Sequence, residues 1–152
     1  MSTDNSATTI LVVDDDPDNC TIVVHLLERQ GYHTRTAYSG PDALAIVRTE
    51  PVDLVLLDVM MPEMDGFQVC SALRELEPGK TLPIILLTAW DDIDARLGAM
   101  HHGASEFLTK PVNKHELIAR VQSQLHIRAL TRQLDEVEHR LEDATGRTPS
   151  ER

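Results

Sequence analysis

Cysteine is scarce in this chain of 152 residues: Cys20 and Cys70 stand far apart and form no CxxC pattern. That excludes a zinc or disulfide framework and fits two ordinary thiols in a reducing compartment. Long apolar runs are missing too. A stretch such as Ile84 to Leu87 has the length of a buried strand, and nothing approaches the roughly 18 apolar residues that a membrane-crossing helix needs. The stretch from Met1 to Thr9 has neither a basic segment nor an apolar core, so no export signal is read there and the expected location is the cytoplasm. Positive charge is in short supply, with 14 Lys and Arg against 25 Asp and Glu and a formal net charge of −11. That deficit argues against a chain that grips nucleic acid or an anionic membrane. No glycine-rich phosphate loop and no Gly-x-Ser-x-Gly elbow occurs.

What is present is a regular alternation of short apolar runs and amphipathic stretches over the first 125 residues, enough chain for one well-buried domain. Ile10 to Asp14 reads as a buried strand that ends in acids. Asp16-Pro17 then supplies a helix cap and a first-turn proline, and Gly31 closes that helix. His33 to Ala37 is a weaker strand, and a helix restarts at Ser39-Gly40-Pro41 and runs to about Glu50. Val52 to Asp58, Pro83 to Thr88 and Glu106 to Lys110 read as further strands. Phe67 to Leu76 and Ile93 to His102 read as helices, and a long helix follows Pro111. Strands separated by helix-length segments pair in parallel through right-handed crossovers. The expected fold is therefore α/β and doubly wound, a (βα)5 arrangement with five parallel strands covered on both faces. Ligands of such sheets sit beyond the carboxyl ends of the strands.

The tail differs. Ile127, Leu130, Leu134, Val137 and Leu141 recur at spacings of three and four, a heptad pattern flanked by charges. Two readings stay open: an amphipathic helix folded back on its own domain, or a dimeric coiled coil continuing the fifth helix. The expected organisation is a disordered N-terminus over 1–8, a core domain over 9–125, a helical extension over 126–143 and a flexible tail over 144–152.

Asp14-Asp15-Asp16 ends the first strand and Asp58 ends the third. Like charges about 4 Å apart repel by about 4 kcal/mol at an effective dielectric near 20, so a cation is the natural relief, and Mg²⁺ suits a few carboxylates with waters and a phosphate oxygen. Asp16 reads as a helix cap, whereas Asp58 precedes a loop. Thr88 ends the fourth strand with a hydroxyl and Lys110 ends the fifth with a compact positive charge. Pro111 follows, and a cis Lys110-Pro111 bond is one way to aim that lysine at the acids.

The segments Val12 to Asp16, Asp58-Val59-Met60-Met61-Pro62-Glu63-Met64-Asp65-Gly66, Leu87-Thr88-Ala89 and Thr109-Lys110-Pro111 resemble the receiver domain of two-component response regulators, over residues 10 to about 125. The resemblance implies a flavodoxin-like sheet in the order 2-1-3-4-5. It implies Asp58 as phosphoacceptor, and Asp14, Asp15, Asp58 and the Met60 carbonyl as the Mg²⁺ site. Thr88 and Phe107 match the switch pair, with Phe107 turning inward as the Thr88 hydroxyl moves, although Phe107 reads equally as a plain core residue, and Lys110 matches the phosphate-binding lysine. Met60 and Trp90 flank the phosphoryl group and tune its lifetime. The implied donor is a phosphohistidine on a sensor histidine kinase or phosphotransfer protein. The face formed by the fourth helix, fifth strand and fifth helix carries the response to an effector, or to a homodimer through the C-terminal helix. The chain is then a signalling receiver that catalyses only its own modification, without direct nucleic-acid or membrane contact.

Two rival readings use the same acids. Asp14-x-Asp16-x-Asp18 opens like an EF-hand loop, but Asn19 replaces the turn glycine and His25 the bidentate glutamate. A haloacid dehalogenase type phosphatase wants Thr or Val where Asp18 stands. A stand-alone phosphorelay shuttle, monomeric and without coiled-coil output, is the remaining alternative. His101-His102 near the end of the fourth helix reads as cations favoured by the helix dipole or as plain solvated residues.

Overall fold

The computed structural model describes residues 7–89 and 93–145. The expectations for residues 1–6, for Trp90 and for 146–152 lie outside the described residues. The elements run β1 (Thr9–Val13), α1 (Pro17–Glu28), β2 (His33–Ala37), α2 (Gly40–Thr49), β3 (Leu54–Asp58), α3 (Gly66–Glu75), β4 (Ile84–Thr88), α4 (Ile93–His101), β5 (Glu106–Thr109) and α5 (Lys114–Thr145). All neighbouring strands are parallel, in the order β2-β1-β3-β4-β5.

The three central strands are apolar at nearly every position because both faces of the sheet are covered. Leu11, Val13, Val55, Leu57, Ile84 and Leu86 face α2 and α3, packing with Ala43, Val47, Val69 and Leu73. The alternate residues Ile10, Val12, Leu54, Leu56, Ile85 and Leu87 face α1 and α5, packing with Cys20, Leu27, Leu117 and Val121. The edge strand β2 alternates exposed and less exposed residues, which is why its sequence signal is weak. Helix starts follow the caps: Asp16 accepts from the Asp18 amide, Ser39 from Asp42 and Asp65 from Gln68.

Helix α5 is continuous from Lys114 to Thr145, so the extension is the same helix as the one that packs on the sheet. Its stripe residues stay 44–65% exposed, from Val137 to Leu134. The fold-back reading is therefore corrected: past Leu125 the helix runs on with its apolar stripe uncovered. No helix among the described residues is long and apolar enough to cross a membrane.

Candidate functional site

The register of the sheet assembles the site. Val13 pairs with Leu57 and Asp58 with Leu87, so the acids following β1 and ending β3 emerge side by side. One carboxylate oxygen from each of Asp14, Asp15 and Asp58 lies within 4.8 Å of the others. Asp14 and Asp58 are buried, 7% and 4% exposed, while Asp15 faces solvent. Asp14 is held in place, its amide donating to the Ala37 carbonyl and one carboxylate oxygen accepting from the Asp16 amide. Asp16 is occupied as the cap of α1.

The loop after Asp58 is shaped by close backbone approach. The Gly66 amide donates to the Val59 carbonyl at 2.9 Å. A Cβ on Gly66 would sit 2.5 Å from the Asp58 carbonyl oxygen and 2.7 Å from the Val59 Cα, so only glycine fits there. Glu63 takes the left-handed conformation with φ of 67° to close the turn. Asp65 and Gln68 then form a reciprocal capping box that starts α3.

Lys110 enters from the far side. Its amide donates to the Thr88 carbonyl at 2.7 Å, and the Lys110–Pro111 peptide is cis. Its Nζ lies 2.8 Å from Asp58 Oδ1 and 3.5 Å from Asp14 Oδ2. Asp58 Oδ1 is thus held chiefly by its charge pair with Lys110. Burial pushes the Asp58 carboxyl up from its ordinary value, Lys110 pulls it down, and Asp14 pushes it up again, with a net upward shift. Burial pulls the Lys110 ammonium down, but Asp58 and then Asp14 outweigh it, and it titrates above its ordinary value. Three carboxylates thus face one ammonium.

Thr88 is fully buried at the end of β4, one residue beyond the partner of Asp58. Met60 is half exposed beside the acids. Phe107 is only 8% exposed, packed into the α2/α3 side of the core, with the Arg96 guanidinium 5.3 Å from its ring centroid. The ring is thus buried under a cation from α4, the placement of the plain core residue that is the second reading of Phe107. His102 sits on the α3 side, its Nδ1 2.7 Å from Ser71 Oγ and its ring against Phe67, which answers the open reading of that histidine as a packed residue.

Sequence reasoning missed several groups around the site. The capping pair Asp65-x-x-Gln68 carries a recognisable signature and was readable. Arg96 over Phe107 joins segments remote in sequence and left no local signal, and the same holds, at the opposite sheet edge, for the contacts of Arg128 and Arg132 with Asp53.

The sequence profile of the response regulator receiver domain matches residues 10–122. The chain belongs to the response regulator receiver domain family. Response regulator PleD of Caulobacter vibrioides is 41% identical over 138 residues, covering 91% of this chain and 29% of PleD. The chain therefore spans less than a third of that relative's length. Among solved structures, Vibrio cholerae chemotaxis protein CheY4 is 33% identical with a TM-score of 0.74, over 76% of this chain and 97% of that one. The receiver domain of sensor histidine kinase PA1611 from Pseudomonas aeruginosa, with a magnesium ion coordinated in its active site cleft, is 29% identical with a TM-score of 0.73, over 78% of this chain and 98% of that one. The sheet order matches the receiver expectation, and the phosphatase alternative is not favoured. As a receiver, the chain is a signalling module of the two-component kind.

The donor set also fits the metal that receivers bind. Three hard oxygen donors converge, two of them from buried aspartates, and Lys110 neutralises only part of their charge.

Proposed function

We propose that this receiver takes a phosphoryl group onto Asp58 from a phosphohistidine of a sensor histidine kinase or phosphotransfer protein. The observation that carries the reading is the buried Asp58 carboxylate gathered with Asp14 and Asp15, with Lys110 Nζ 2.8 Å from its Oδ1. Asp14, Asp15, Asp58 and the Met60 carbonyl would hold Mg²⁺. Bound there, the ion supplies the positive charge that lets an anionic donor approach an anionic nucleophile.

The chain's own residues do the rest. An Asp58 oxygen forms the new P–O bond as the donor's P–N bond breaks, and the imidazole leaves with the bonding electron pair. Lys110 exchanges part of its pairing with Asp58 and Asp14 for the incoming phosphoryl oxygens, as a point charge suited to an anion. Thr88 donates its hydroxyl to the same group. Catalysis of this kind is positioning and charge balance.

Thr88 and Phe107 form the switch pair of this reading. Phosphorylation draws the Thr88 hydroxyl toward Asp58 and vacates space that the Phe107 ring takes by rotating inward, which changes the shape of the face made by α4, β5 and α5. Driving a 1:99 population to 99:1 takes about 5.5 kcal/mol, and a charge-assisted hydrogen bond supplies roughly 1.5–3 kcal/mol of it. Met60, and Trp90 outside the described residues, tune the lifetime of the phosphoryl group. The response leaves through this face and along α5, to a second copy or to a separate effector, in the cytoplasm and without direct contact with nucleic acid or membrane.

Incubation with Mg²⁺ and acetyl phosphate, read by intact mass, tests the proposal. A gain of one phosphoryl unit that disappears in Asp58→Asn supports it. No gain in the wild-type chain, or an unchanged gain in the variant, overturns it.

A further inference from the structure

Helix α5 carries two faces of different character. Leu117, Val121 and Gln124 are buried against the receiver, and one and two turns later Arg128 and Arg132 each bring a guanidinium nitrogen to 4.0 Å from Asp53 Oδ1. Arg128 also donates to the Thr81 carbonyl, and Asp53 accepts from the Thr9 amide. These contacts pin the helix to the sheet edge where β1, β3 and β4 begin. The other face bears Ile127, Leu130, Leu134, Val137 and Leu141, each 44–65% exposed. At 3.6 residues per turn, the mean direction of this stripe is turned by about 140° from the docked face. Ile127, at the start of the stripe, still lines a groove with Thr81, Pro83 and Ser105 of the receiver, and the later stripe residues turn away from the docked face.

A free helix as short as the extension is marginal because its first turn is costly to nucleate. Here the buried half of α5 is the nucleus, and the stripe propagates from structure already ordered. The three-four spacing is self-complementary: it provides both the knobs and the holes for an identical helix, which an unrelated apolar ligand does not require. The flanking positions agree. In a parallel pair, Gln133 faces Glu138 of the second copy and His126 faces Thr131. In an antiparallel pair, Gln133 faces Arg140 and Thr131 faces Glu138. Neither opposes like charges. The match to PleD leaves only 152 − 138 = 14 residues of this chain uncovered, so it reaches at least residue 138 and includes the stripe through Val137.

We infer that the extension of α5 pairs with the same stretch of a second copy of this chain, in a two-helix coiled coil with Ile127, Leu130, Leu134, Val137 and Leu141 as its seam. The seam starts at the sheet edge opposite the acid cluster, so it forms without a phosphoryl group on Asp58 and is tested apart from the phosphoacceptor reading.

Sedimentation equilibrium of the full chain, from low micromolar to several hundred micromolar, tests this. The expected result is a concentration-dependent dimer in both the wild type and Asp58→Asn. Leu134→Lys, at a solvent-facing position that leaves the receiver core intact, is expected to weaken association at least tenfold, while Glu136→Lys on the outer face leaves it within twofold. A wild-type monomer throughout the range overturns the inference. So does a Leu134→Lys chain that still dimerises, or a Glu136→Lys chain that dissociates equally, since either removes the seam as the cause.

Discussion

Among the described residues, Lys110 and Asp58 form the closest charge pair of the acid pocket, Nζ to Oδ1 at 2.8 Å, although β3, which Asp58 ends, and β5, which Lys110 follows, do not pair with each other. β4 lies between β3 and β5, and Lys110 reaches back across its end toward both Asp58 and Asp14. The pair holds the pocket together without cancelling it. Burial raises the Asp58 carboxyl above its ordinary 3.8, so its ionised form costs the folded chain stability. That contribution favours folding below pH 3.8 and is lost as pH rises through the folded value.

Asp58→Asn is therefore expected to stabilise the metal-free protein at neutral pH. A melting temperature higher by roughly 2–8 °C corresponds to about 1 kcal/mol in a domain of this size. Differential scanning calorimetry with a chelator present checks it, and the gain should shrink as Mg²⁺ is added, because the wild-type site then gains the ion that the variant binds less well.

Lys110→Met is expected to act in opposite directions on two measurements. It strands two buried carboxylates and costs about 1–3 kcal/mol in urea denaturation, less than a fully buried pair because the lysine side chain is 29% exposed. The same loss of positive charge raises Mg²⁺ affinity by isothermal titration calorimetry. Phosphoryl gain from acetyl phosphate falls even at saturating Mg²⁺.

Gly66→Ala is expected to destabilise the chain by about 1–3 kcal/mol through overpacking. The added carbon meets the backbone of Asp58 and Val59, which has no flexible end to move aside. Because the displaced atoms carry the phosphoacceptor, the rate of phosphorylation should fall with stability, whereas Gly98→Ala, where a Cβ meets only the Phe67 ring at 3.8 Å or more, should change neither by much.

Much of this was legible in the sequence because the central strands are buried on both faces and read as unbroken apolar runs that end in the functional residues. The order of Asp14, Asp58, Thr88 and Lys110 along the chain is the order in which β1, β3, β4 and β5 deliver them to one edge. Phe107 was not legible in this way. A side chain's placement is decided by packing, and the cation that covers this ring comes from Arg96 on another element. The path of α5 was readable only as a choice between two options. The direction in which it leaves the receiver is fixed by Arg128 and Arg132 meeting Asp53 and by Arg128 meeting Thr81, partners too distant along the chain to leave a periodic trace, while its pairing is the inference drawn above.

The two cysteines give a pH prediction of their own. Burial raises both thiols to about 11, with Asp14 adding to the effect at Cys20. Their folded values exceed the ordinary 9.0, so the protonated thiols' contribution to stability is complete below pH 9.0 and is lost as pH rises through about 11. Native protein at pH 8 is expected to react with a thiol reagent only at the rate of opening, and both thiols should titrate fully in denaturant.

Borohydride reduction of the phosphorylated protein, followed by peptide mass spectrometry, tests the central claim most directly, because it converts an aspartyl phosphate into homoserine at the residue that held it. The account predicts homoserine at position 58 and nowhere else, dependent on Mg²⁺. Homoserine at Asp14, Asp15 or Asp65, or its absence from a chain that has gained a phosphoryl group, would contradict it.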